Sequence, residues 1–114
     1  MIDFACKRIS REELIRCSLN LNKTQYKVFE FMLRKNKKMT VSQIANSLSL
    51  ERTTVQKAMK GLLKKKIVKR FQRNLSAGGY EFLYELENVD QIKQNLKQIL
   101  REWSRSAEKV IDGL

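Results

Sequence analysis

The chain has 114 residues, with 24 Lys or Arg against 12 Asp or Glu, a net charge of +12, and neither histidine nor proline. A length of this order makes one domain with a single core and leaves no room for a separate sensor domain; no run of about 18 apolar residues is present to span a membrane. Without histidine the commonest general base and metal ligand is missing, and the only adjacent glycines, Gly78 and Gly79, form no phosphate loop, so neither catalysis nor a cofactor nor a metal is expected.

Residues 1–9 carry Asp3, Lys7 and Arg8 but no apolar signal segment; they read as an extension of a cytoplasmic protein. Ser10 followed three positions later by Glu13 is a capping box, in which each side chain accepts a hydrogen bond from the other residue's backbone N–H. It predicts a short helix from Arg11 carrying Leu14, Ile15 and Cys17. Asn22 and Gln25 repeat the arrangement and open a helix to about Lys35, with Tyr26, Val28, Phe29, Met32 and Leu33 as its core side. The polar stretch Asn36 to Lys38 ends it.

Thr40 then caps a brief helix, Val41 to Leu48, whose apolar positions are Val41, Ile44, Ala45 and Leu48. Ser49 reads as the cap of the next, which runs to about Lys65 and buries Val55, Ala58, Met59, Leu62 and Leu63 at helical spacing. Two helices joined by Ser49 and Leu50 alone must turn sharply, as in a helix-turn-helix. Gly61 interrupts the second at a cost of about 1 kcal/mol relative to alanine; a close approach of another backbone or of DNA would explain it, with neutral drift as the alternative.

After Lys66 the apolar period drops from 3.6 to 2. Ile67 to Asn74 and Tyr80 to Leu86 read as strands, and the five residues Leu75 to Gly79 supply the glycines of a hairpin turn. A helix-turn-helix followed by a hairpin is a winged helix, here with a basic wing carrying Lys69, Arg70, Arg73 and Asn74. The last segment, Asn88 to Gly113, repeats apolar residues at steps of three and four, namely Val89, Ile92, Leu96, Ile99, Trp103, Ala107 and Val110. Such a helix, about 39 Å long, is expected to pair with its copy in a second subunit, helped by the helix that carries Leu14. Folding back on its own winged helix is the alternative.

Cys6 and Cys17 would lie about 16 Å apart on one continuous helix, which excludes a disulfide within it. They read as two reduced thiols with Cys17 packed inside; a bridge between subunits, a redox switch, or a zinc site sharing the four thiolates of a dimer are the alternatives.

Charge is unevenly distributed: residues 1–50 carry +6, residues 51–73 carry +8, and residues 74–114 carry −2. Within the middle block Arg52, Thr53, Gln56, Lys57, Lys60 and Lys64 fall opposite the apolar stripe, so one face packs and the other suits a polyanion.

From Leu21 to Val68 the pattern resembles the MarR and TrmB group of winged-helix transcription regulators. The resemblance rests on Thr24-Gln25 and Val28-Phe29, on the run from Met39 through Ser42, Gln43, Ile44 and Ala45 to Leu48, and on Leu50-Glu51-Arg52-Thr53-Thr54-Val55 and Lys65 to Arg70. It implies a recognition helix in the major groove, with Arg52, Thr53, Thr54, Gln56 and Lys57 near bases or adjacent phosphates, and a wing carrying Arg70 and Arg73 on the minor groove or backbone.

The chain departs from the group at three points: Leu75 to Gly79 replace the wing-tip Asp and Arg pair, Lys66 stands where a glycine usually gives a left-handed helix end, and no second C-terminal helix completes an effector pocket. No small-molecule effector is therefore expected.

The fold expected is mainly α with a small β-hairpin, a winged helix-turn-helix with an N-terminal helix and a long C-terminal dimerisation helix. Residues 1–20 would support dimerisation, 21–87 form the DNA-binding domain, and 88–114 pair the subunits. The candidate DNA-binding set is Ser42, Gln43, Arg52, Thr53, Thr54, Gln56, Lys57, Lys60, Lys69, Arg70, Arg73 and Asn74; the candidate dimerisation set is Leu14, Ile92, Leu96, Ile99, Trp103, Ala107 and Val110. Double-stranded DNA and a second copy of the chain are the expected partners. A protein-interaction or RNA-binding subunit of a larger assembly, or a nonspecific DNA-coating protein, are the rival functions.

Overall fold

The computed structural model describes all 114 residues. Three capping boxes start three helices: Ser10–Glu13 opens α1 (Arg11–Leu19), Asn22–Gln25 opens α2 (Lys23–Lys35) and Thr40–Gln43 opens α3 (Val41–Leu48). The reciprocal bonds run from 2.8 to 3.3 Å and satisfy first-turn N–H groups that the helices themselves leave without partners.

The first four helix ends are made without glycine. Asn20, Ser49 and Lys66 all adopt the left-handed conformation, with φ of 54°, 54° and 60°. After each, the following residue's N–H reaches back to a carbonyl five positions earlier: Leu21 to Arg16 at 2.8 Å, Leu50 to Ala45 at 3.0 Å and Ile67 to Leu62 at 3.0 Å.

Two expectations are corrected by these helix ends. Ser49 does not cap the recognition helix α4 (Arg52–Lys64); it closes α3, and Glu51 takes the N-cap position of α4 with no side-chain cap bond. The three-residue connection, Ser49 to Glu51, leaves room for one sharp reversal, and Ser49 is the residue that makes it. Lys66 does not give up the left-handed end either. It adopts that conformation against the Cβ penalty that makes glycine usual there.

The chain falls into two compact units, residues 22–87 and residues 1–21 with 88–114. In the first, α2, α3 and α4 pack around a core of Val28, Phe29, Met32, Ile44, Val55, Met59 and Leu62, closed by Ile67, Val68, Tyr84 and Leu86. Its hairpin, β3 (Val68–Asn74) with β4 (Tyr80–Leu86), is antiparallel from Val68↔Leu86 to Asn74↔Tyr80. Gly78 and Gly79 turn it with φ of 95° and 79°, values that suit residues lacking a Cβ. Met39 adds a single bridge to Tyr84, anchoring the α2–α3 connection against the sheet.

The second unit holds α1 and α5 (Val89–Asp112), which contact each other. Residues 1–9, expected as an extension, form a hairpin of β1 (Ile2–Phe4) and β2 (Lys7–Ile9), with Arg8 bonded across it to Asp3 at 2.8 Å. Burial in this unit is sparse: α1 has no buried residue and α5 has only Ile92. Cys17, expected inside, is exposed. At 100° per residue it lies about 200° around α1 from half-buried Ile15.

Candidate nucleic-acid interface

Helix α4 separates its residues as its period requires. Val55, Ala58, Met59 and Leu62 are buried, while Arg52, Thr53, Gln56, Lys57, Lys60 and Lys64 are exposed and Thr54 is half-buried. Because Glu51 lends no side-chain cap, the positive end of this helix is left open to an outside acceptor.

A shallow cleft of about 240 Å³ joins the start of α3, the first turn of α4 and the second wing strand. Ser42, Arg52 and Gln56 line it together with Tyr80, Glu81 and Phe82. Three of the expected residues thus share one concavity with side chains that the sequence did not single out. Gln43 is placed elsewhere: its Oε1 accepts from Thr40 N at 2.9 Å, and it borders a separate cleft with Asn46 and Ser47.

The hairpin register divides the four wing residues between two faces. Arg70 pairs with Tyr84 and Asn74 with Tyr80, so both share the face of Phe82, and the Arg70 guanidinium lies 4.2 Å from the Phe82 ring centroid. Tyr80 meets Phe82 edge-to-face at 5.3 Å and is 57% exposed. Lys69 and Arg73 point the other way and meet carboxylates: Lys69 reaches Glu85 at 3.8 Å and Arg73 Nε donates to Glu81 at 2.8 Å. Such exposed pairs are worth about 0–1 kcal/mol, so a phosphate can compete for either cation. The strict alternation Tyr80, Phe82, Tyr84, Leu86 reads as one packing face, yet only Tyr84 and Leu86 reach the core.

No group of His, Cys, Asp or Glu clusters closely enough to hold a metal ion. No helix is long and apolar enough to cross a membrane.

Residues 15–90 match the model of a family described as the sugar-specific transcriptional regulator TrmB. The chain belongs to the TrmB family. A solved structure described as a possible transcriptional regulator from Methanosarcina mazei is similar over 99% of this chain and 95% of that one, at 33% identity and a TM-score of 0.89. Two uncharacterized proteins of Methanocaldococcus jannaschii are 29% identical over 109 residues (96% of this chain, 82% of the relative) and 30% identical over 103 residues (90% and 84%). A mutant MepR from S. aureus, solved bound to an oligodeoxyribonucleotide, shares the fold at 13% identity, with a TM-score of 0.59 over 91% of this chain and 73% of that one. This TrmB-family chain is thus a winged-helix, DNA-binding type of transcriptional regulator and not an enzyme.

Gly61 has a specific neighbour in this TrmB-family winged helix. A Cβ there would run into the amide of Gln25, the same side chain whose Oε1 accepts from Asn22 N at 3.0 Å in the α2 capping box. Within the chain the close approach is to the cap of a neighbouring helix rather than to a second backbone. From sequence, Gln25 and Gly61 each carried a local meaning, and only packing connects them.

Proposed function

We propose that this protein is a sequence-specific double-stranded-DNA regulator acting as a homodimer, with α4 in the major groove and the basic wing on the backbone or minor groove. Residues 22–87 form its DNA-binding part, and α1 with α5 forms its dimerisation part. The observation that carries this reading is the shared cleft of Ser42, Arg52 and Gln56 beside the aromatic face of the wing. It brings groups able to match base edges into one concavity with groups that pack against sugar and backbone.

Arg52 and Lys57 suit guanine O6 and N7, and Gln56 suits adenine N6 and N7, each pairing worth about 1–3 kcal/mol of discrimination. Thr53, Thr54 and the uncapped start of α4 suit a phosphate. Lys60, Lys69, Arg70, Arg73 and Asn74 supply further backbone contacts, with Gln43 contributing through whatever its cap bond leaves free. Dimerisation is supported by the apolar residues of α5, of which Trp103 is 61% exposed and Val110 73% exposed in the single chain. A cytoplasmic location agrees with this role, and no small-molecule effector is assigned.

The test is selection of DNA fragments by the purified protein, followed by binding measurements on Arg52→Ala, Gln56→Ala and Lys57→Ala. Enrichment of a palindrome with half-sites about 34 Å apart, and a changed base preference in at least one variant, is the expected result. If all three variants keep the wild-type preference, the base-reading assignment fails. A preference for unpaired strands would instead favour stacking on Tyr80 and Phe82.

A further inference from the structure

Outside the recognition helix, the densest positive charge lies where α2 gives way to α3. Residues 34–38 place Arg34, Lys35, Lys37 and Lys38 around Asn36, four cations in five positions with no acid. All four are exposed, and none forms an ion pair, whereas Lys7, Arg8, Arg16, Lys69 and Arg73 each meet a carboxylate.

Aromatic rings hold three of these cations in place instead. Arg34 and Lys35 lie 5.9 and 5.8 Å from the centre of Phe31, and Lys38 lies 4.0 Å from the centre of Phe71, where Lys69 also approaches to 5.9 Å. An adjoining cleft of about 350 Å³ sets Lys35 and Lys37 beside Gln43, Asn46 and Ser47, over Phe31.

Arg34 and Lys35 end α2, where cations complement the helix dipole. That accounts for two of the four. Lys37 and Lys38 lie beyond the helix, where the dipole does not account for them, and no carboxylate offsets their charge. Ring contacts leave ammonium groups free to meet an anion directly, whereas the wing cations Lys69 and Arg73 must first give up a carboxylate. We propose that this connection is a second DNA contact, gripping the phosphate backbone outside the stretch read by α4. The proposal rests on the reading of the protein as a double-stranded-DNA binder. The phosphates belong either to the flank of the same duplex or to a second duplex, and the chemistry is the same.

The experiment compares wild type with the combined variant Lys35→Gln, Lys37→Gln and Lys38→Gln, on fluorescent duplexes carrying the selected sequence and spanning about two and about four helical turns. Unchanged melting of the variant establishes that it is folded. Counterion release predicts that the slope of log affinity against log salt becomes shallower by about 0.9 for each phosphate that the variant no longer neutralises, with base preference unaltered. A flattening confined to the longer duplex places the phosphates on the flank. Wild-type co-precipitation of two differently labelled duplexes, abolished in the variant, places them on a second molecule. A folded variant with the wild-type slope on both lengths, and with two-duplex complexes undiminished, overturns the proposal.

Arg52→Ala and Gln56→Ala, measured in parallel, separate the two readings. Altered base preference there with no lysine effect sinks only the second contact. A lysine effect with no change in base preference sinks only the reading head.

Discussion

The two units of this chain carry apolar stripes of similar regularity and use them differently. In residues 22–87 the stripes of α2, α3 and α4 end in a shared core, and Met32, Ile44, Met59 and Leu62 are fully buried. In residues 1–21 with 88–114, the longer stripe of α5 leaves Trp103, Val110, Ile111 and Leu114 largely exposed, as are Ile2 and Phe4 of the hairpin. Periodicity therefore reports that a helix face is meant to be covered, but not by what. The winged helix closes within one chain; the other unit leaves an apolar face exposed, the face that the proposed dimer would cover.

The sharpest way to break this contrast is to make the open face polar. Trp103→Glu combined with Val110→Glu is expected to turn a species of twice 13.5 kDa into one of 13.5 kDa in sedimentation. DNA affinity should fall on the order of 10²- to 10⁴-fold, because the second half-site is no longer tethered. Wild-type protein sedimenting at 13.5 kDa at micromolar concentration would end the dimer assignment.

Next in size, Leu62→Ala should cost about 2–5 kcal/mol in denaturant unfolding, from the transfer energy of the removed atoms and the cavity left behind. That cost should not depend on protein concentration. The cost of Val110→Ala should grow with concentration, because its burial requires a partner. Equal concentration dependence for both variants would mean that the units do not differ in this way.

Lys66→Gly sharpens the comparison from inside the closed unit. Relieving a left-handed lysine at φ 60° should raise stability by about 0.5–1 kcal/mol, after the entropy of the added glycine is discounted. Unfolding by the same method checks it; a loss of stability would show that the lysine side chain contributes more than the backbone strain costs.

The smallest effect belongs to the open unit. The Glu13 carboxyl is held below its ordinary value of 4.5, first by the hydrogen bond from Lys7 and then by those at Ser10. A lowered carboxylate contributes stability above its unfolded value, and that contribution is lost as pH falls through the folded one. Acidification below pH 4.5 should loosen the hairpin and the first turn of α1 before the winged helix, as amide exchange would register. Glu13→Gln should abolish that acid-dependent step.

How far the sequence could be read depended on the range of each interaction. The capping boxes at Ser10, Asn22 and Thr40 involve partners three residues apart, and the structure has all of them. The wing strands were legible from their period and their glycines. Ser49 was misassigned because a serine between two helices can serve either end, and the choice rests on which backbone reversal the packing of α3 against α4 needs. The hairpin of residues 1–9 was missed because three-residue strands are too short to show a period.

In the candidate site, the exposed face of α4 followed directly from its spacing. The pairing of Lys69 with Glu85 and Arg73 with Glu81 did not, because it depends on which residues the register sets side by side. Nor did the role of Tyr80 and Phe82, whose alternation extends beyond the point where the core stops.

Local bonds and residue periods, acting over three or four positions, determined from the sequence alone the helices, the wing and the basic face of a TrmB-type regulator. Tertiary structure decided which cations stay free of carboxylates, that the Gln25 side chain is what approaches Gly61, and which apolar stripe stays open. Each of these depends on distances between residues remote in the chain, and they exist only once the backbone has closed.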